Sequence, residues 1–226
     1  MARSRQPKQA APHGEAVPER SGAASYLTLR AGEVASAEFV DRKSRFIAQL
    51  THVESEDEAS EFIAAVRARH YDARHNVPAW ILADGRERQS DDGMPTLECL
   101  RGAGLMNVCC VVTRYFGGTL LGPGGLVRAY TTATQRAIEA AREAGLVVEK
   151  TLVVGVEVGV PYAMFDRVRD LAERSGSHVA SCDYAADVTL SLVFRAGEET
   201  PFVDAMRELM AGRDVCLVGE PEFSEF

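Results

Sequence analysis

Long apolar runs are missing from this chain. No stretch approaches the roughly 18 consecutive apolar residues of a membrane-spanning helix, which excludes an integral membrane protein of that kind. Aromatic residues are few, at 7%, with one tryptophan. Cysteine is scarce and unpatterned: Cys99, Cys109, Cys110, Cys182 and Cys216 are an odd number without a CxxC pair. That excludes a zinc ribbon and a disulfide framework, and a reducing cytoplasm is the natural setting. The stretch from Met1 to Pro18 has basic residues but no apolar segment behind them, so it does not read as a secretory signal.

What is present describes a globular protein of one or two domains: 226 residues, 46% hydrophobic and 26% charged. The net charge of −8 speaks against a general nucleic-acid binder. Its distribution matters more. Thr151 to Phe226 carries 14 acidic and 6 basic residues, so the whole excess lies in the last third. The first two-thirds are balanced and leave room for a basic patch.

Residues 1–24 are rich in Ala, Pro, Arg and Gly and read as a disordered tail. Strand alternation starts at Tyr26 and returns between Ala37 and Val53, interrupted by the polar Asp41-Arg-Lys-Ser44. Ser55 with Glu58 forms a capping-box signature for a helix to about His70. A strand over 76–83 precedes a polar loop, Asp84 to Gly93, and one or two helical turns near Pro95 to Leu100. Val108 to Tyr115 reads as a buried strand, with Cys109 and Cys110 as small core residues. A glycine-rich loop follows, and then a helix from about Gly125 to Ala144. From Glu149 the order β-α-β-β-α-β fits the ferredoxin-like arrangement. The expectation is an α+β protein: a tail (1–24), a first domain (25–148) and a ferredoxin-like second domain (149–226).

The chemistry concentrates in Thr113 to Tyr130. Five glycines, Gly117, Gly118, Gly122, Gly124 and Gly125, lead a strand into a helix. Between Val108 and Tyr130 there is no acid, and there are two arginines, Arg114 and Arg128. Free amides at a helix N-terminus favour an anion, so phosphate or RNA backbone fits here. Glycines that merely allow tight packing explain the same loop, and neither GxGxxG nor GxxxxGK[ST] is in register. His70 and His75 straddle a helix-to-strand junction. With Asp72, Asp91 or Asp92 they could complete a metal set, but no spacing forces one. His75-Asn76 fits better as hydrogen-bonding groups. Asp91-Asp92-Gly93 is a common turn as well as a carboxylate pair. No nucleophile sits in a recognisable activating context.

Several motifs together resemble the YigZ/IMPACT family: Lys43-Ser-Arg-Phe-Ile47, Ala73-Arg-His-Asn76, Ser90-Asp-Asp-Gly93, Val112-Thr-Arg-Tyr-Phe-Gly-Gly118 and Leu121-Gly-Pro-Gly-Gly-Leu-Val-Arg-Ala-Tyr130. The resemblance runs from about Ala24 to Phe226. It implies a first domain with the fold shared by a small-subunit ribosomal protein and domain IV of elongation factor G. The second domain is implied to be similar to ferredoxin-like modules of translation factors. In eukaryotic relatives the first domain binds the activator of a translation-controlling kinase and damps its signalling. In bacterial relatives the resemblance suggests nucleic-acid or ribosome association. No catalytic residues come with it. One departure stands out. Members usually continue Asp-Asp-Gly with Glu-Pro-Ser-Gly-Thr-Ala-Gly, whereas Gly93 here is followed at once by Met94-Pro95.

The combined expectation is a non-enzymatic cytoplasmic protein that binds RNA, the ribosome or a translation-factor protein partner and regulates translation, with no cofactor, no metal and no membrane. Its surface would comprise Arg114, Gly117, Gly118, Gly122, Gly124, Gly125, Arg128, His75 and Asn76, with Lys43 and Arg45. Tyr115 or Phe116 would stack on a base if exposed. The alternative is a hydrolase or transferase acting on a phosphorylated ligand through Asp91, Asp92 and His75.

Overall fold

The computed structural model describes residues 25–226. The tail expected over 1–24 lies outside the described residues. Strands β2 (Val34–Asp41) and β3 (Ser44–His52) form a hairpin whose two turn residues, Arg42 and Lys43, both take positive φ, 43° and 67°. That is the turn geometry whose twist matches paired strands. With β4 (His75–Ile81), β5 (Glu87–Gln89) and β6 (Val108–Tyr115) they make an antiparallel sheet of order β2-β3-β6-β4-β5. The short β5 lies inside the stretch expected as loop.

Strand β6 is central and covered on both faces, which is why its sequence is uniformly apolar. Val108, Cys110 and Val112 join Phe46, Leu50, Ala133 and Ala137 beneath α2 (Met94–Gly102) and α3 (Gly122–Glu143). Cys109 and Val111 face α1 (Glu56–Arg69) with Val53, Val66 and Trp80. Burial pushes the Cys109 thiol up to about 12, so it stays protonated and unreactive. Helix α1 is capped as its sequence implies: the Glu58 amide donates to Ser55 Oγ at 3.2 Å. The Glu58 carboxylate reaches one residue further back than a capping box requires and accepts from the Glu54 amide at 2.8 Å.

The second sheet is built on β7 (Val147–Val160). Helix α4 (Tyr162–Arg174), strands β8 (His178–Tyr184) and β9 (Val188–Arg195), helix α5 (Thr200–Leu209) and β10 (Cys216–Val218) follow. The order β10-β7-β9-β8, with every neighbour antiparallel, is the split βαβ arrangement. Val154, Val158, Leu190, Phe194, Phe202 and Met206 fill its core against both helices. Two further strands pair with β7: β1 (Ser25–Leu29) along Val147–Thr151, and β11 (Glu222–Ser224) along Thr151–Val153. Leu29 nevertheless packs into the first core, so β1 and the start of β7 tie the two halves together.

The exit from β6 is fixed by one close approach. A Cβ on Gly117 would lie 2.0 Å from the Lys43 carbonyl carbon, so only glycine lets the chain cross the β2–β3 turn. The Gly117 amide donates to Ser44 Oγ at 3.1 Å. Helix α3 then starts at Gly122, nearly one turn before the expected Gly125, with Pro123 in its first turn. Gly117→Ala is therefore expected to destabilise the protein by about 1–3 kcal/mol, an overpacking cost, in urea unfolding. A change below the error of that measurement would contradict the close approach.

Candidate anion-binding site

Arg114 sits near the end of β6, opposite Phe46 of β3 and His75 of β4. Residues directly opposite on paired strands share a face, so all three point toward α3. Arg114 is only 8% exposed. Its guanidinium lies 5.7 Å from the Phe46 ring centre and 5.9 Å from that of Phe116. Among the described residues it makes no ion pair, and its buried Nε has no hydrogen-bond partner. The side chains of Arg74, His75, Arg114, Phe116 and Leu120 line a cavity of about 370 Å³. Phe116 is 48% and Leu120 80% exposed, which gives an apolar mouth over a cationic floor.

A second orphan donor lies beside the first. The Tyr130 hydroxyl, from α3, is buried beside the Arg114 guanidinium without a well-formed hydrogen bond. Tyr130 stacks edge-on against Phe46 at 5.4 Å. Desolvation pushes its hydroxyl up to about 12; Arg114 opposes that rise, and the carboxylate of Asp92 adds to it. Buried polar groups are almost always hydrogen-bonded and buried charges paired, so Arg114, without a counter-ion among the described residues, marks this end of the sheet as a candidate anion site.

The two-residue period of a strand divides the residues that the sequence groups together. Arg114 and His75 converge on the cavity. Asn76 points to the opposite face, where its Oδ1 accepts from Thr113 Oγ1 at 2.7 Å and its amide donates to the His70 carbonyl at 3.3 Å. Arg45 also lies on that face, opposite Tyr115, and is held by two hydrogen bonds to Glu38 at 3.0 and 2.8 Å. The Tyr115 hydroxyl contacts His70 Nδ1 at 2.9 Å and donates to Asp72 at 3.2 Å. Tyr115 is thus committed internally, and Phe116 is the free aromatic surface.

Of the five glycines, Gly117 is structural, and Gly118 and Gly122 hold positive φ of 87° and 70°. Gly122, Gly124 and Gly125 belong to the first turn of α3 rather than to a loop. No acid or side-chain cap occupies that turn, and the amides of Gly122 and Gly124 have no acceptor among the described residues. Arg128 is exposed on α3, outside the cavity lining, without an ion pair among the described residues. Lys43 is exposed at the β2–β3 turn. Asp91 and Asp92 are exposed, and neither hydrogen-bonds His75 among the described residues. No cluster of three His, Cys, Asp or Glu side chains suited to a metal occurs there either. Gly93 leads straight into α2.

Sequence reading missed Arg74 and Tyr130. Arg74 precedes His75, its amide donates to the Arg114 carbonyl at 2.9 Å, and it lines the cavity. Tyr130 carries a helical core signature, and only its unsatisfied hydroxyl marks it as more. Tyr130→Phe should leave stability unchanged or raise it by up to about 1 kcal/mol in the ligand-free protein, because an unsatisfied buried hydroxyl is removed. A loss of about 1 kcal/mol in denaturant unfolding would show that the hydroxyl is bonded.

Residues 42–138 match the Impact N-terminal domain, and residues 158–213 match the Domain of unknown function (DUF1949). The chain is 33% identical over 210 residues to the IMPACT family member YvyE of Bacillus subtilis, covering 89% of this chain and 94% of that one. It is 31% identical over 182 residues to the IMPACT family member YigZ of Escherichia coli, covering 76% and 87%. A crystal structure of a hypothetical protein superposes with a TM-score of 0.55 at 28% identity, over 90% of this chain and 98% of that one. Relatives matched over nearly their full length at this identity place the chain in the IMPACT family.

Proposed function

We propose that this protein binds RNA, the ribosome or a translation-related partner through the Arg114 end of its first sheet, without catalysing a reaction, and thereby regulates translation in the cytoplasm. The observation that carries this reading is a buried arginine with no counter-ion, next to a helix start with open amides. Phosphate supplies what both lack: negative charge and several acceptor oxygens. Arg128 on α3 and Lys43, whose backbone meets Gly117, are exposed and without ion pairs among the described residues, and would extend the contact along a nucleic-acid backbone. Five free thiols fit a reducing compartment. The acidic last third would repel RNA, which assigns nucleic-acid contact to the first sheet.

The test combines Arg114→Met with Arg128→Ala. Methionine keeps the apolar stem of Arg114 and removes a buried unpaired charge, so the thermal midpoint should not fall. Affinity for ribosomes and for single-stranded RNA should fall. The slope of log affinity against log salt should become shallower by about 1.4, at roughly 0.7 per lost phosphate contact. Equal affinity and equal slope for wild type and double variant would refute the reading.

A further inference from the structure

The cavity at Arg114 has the features of a pocket for the end of a ligand rather than of a groove for its middle. Resting on the anion-binding reading above, we propose that it takes a terminal phosphate monoester: the phosphorylated end of an RNA chain or a nucleoside monophosphate. The base of the same nucleotide lies against Phe116.

Four observations carry this. First, Arg114 is 8% exposed as a residue and its Nε is buried, so a group that reaches that nitrogen must enter the cavity. An internal phosphodiester is flanked by nucleosides on both sides, whereas a terminal phosphate enters head first. The volume of about 370 Å³ falls within the range of small-ligand pockets. Second, the charge count favours a dianion. Arg114 and Arg74 both line the cavity, and neither makes an ion pair among the described residues. A monoester carries about −1.5 to −2 near neutral pH, and a backbone diester a single charge.

Third, the buried Arg114 Nε–H has no acceptor, and the Tyr130 hydroxyl lies beside the same guanidinium, behind the cavity lining. A monoester presents three free oxygens, enough to serve Arg114 Nε–H and the terminal guanidinium nitrogens together. Fourth, the mouth is apolar and aromatic. Phe116 is half exposed, and single-stranded bases stack on such rings. Asp92 is the opposing charge near Tyr130; it is exposed and forms no ion pair with Arg114.

The experiment compares short single-stranded RNAs of one sequence that carry a 5′-phosphate, a 3′-phosphate or hydroxyls at both ends, measured by competition against a labelled RNA. Adenosine monophosphate serves as a further competitor. With the full-length protein, one phosphorylated end should bind about tenfold or more tightly than the hydroxyl-ended RNA, the scale of charge-assisted hydrogen bonds. That ratio should collapse to about one in Arg114→Met, shrink in Tyr130→Phe and persist in Arg128→Ala, which weakens all the RNAs alike. Competition by adenosine monophosphate as strong as that of the phosphorylated RNA would identify the free nucleotide as the ligand. Weak competition by it beside a strong end preference would identify the RNA end. A ratio near one in the wild type, with Arg114→Met weakening every RNA equally, would overturn the terminal-phosphate proposal and leave the anion site standing. No binding of any RNA would overturn both.

Discussion

An unpaired buried cation organises the β6–α3 end of the first sheet. Isolating a charge from water costs several kcal/mol unless a partner compensates, and Arg114 has an aromatic ring on two sides but no carboxylate in contact. It is held there by the register of three strands. Phe46, Arg114 and His75 form one cross-strand row, and that row faces α3 because the apolar row beneath it, Ala48, Val112 and Val77, must also face α3. To turn Arg114 to the other face, the strand would have to slip by one residue and expose its core side chains. The position therefore follows from packing, and Arg114 is left without a counter-charge among the described residues.

The loop chemistry divides along the same line. Gly117 is an architectural residue: the backbone of the β2–β3 turn occupies the space where a side chain would go, and Ser44 takes its amide. Beyond it the chain turns through two positive-φ glycines into α3, whose first turn holds no acid. Close packing thus accounts for Gly117, while the glycines that open α3 leave amides without an acceptor among the described residues. The apolar Phe116 and Leu120 between them become the mouth of the cavity.

Much of the architecture was legible because it rests on local chemistry. The apolar run of β6, the Ser55 cap and the element order of the second half each carry their own signal. Strand β11 and the pairing of β1 with β7 carried none, since three- and five-residue strands are defined by their partner. The site was legible in part. An acid-free segment with two arginines and five glycines pointed to the β6–α3 end of the sheet, where Arg114 is buried. It could not show that His75 and Asn76 face opposite ways, that Glu38 neutralises Arg45, or that Tyr130 has an unsatisfied hydroxyl. These are facts of register and burial, which adjacency in sequence obscures. The early start of α3 was hidden because glycine and proline read as loop residues although proline suits a first helical turn.

Thermal unfolding in sodium phosphate against sodium chloride at matched ionic strength tests whether Arg114, uncompensated among the described residues, takes up an anion. Ligand that binds only the folded state raises stability in proportion to the logarithm of its saturation. The wild type should gain stability in phosphate beyond that in chloride, and Arg114→Met should lose that gain. An equal phosphate effect in both proteins, or none in either, would contradict the account.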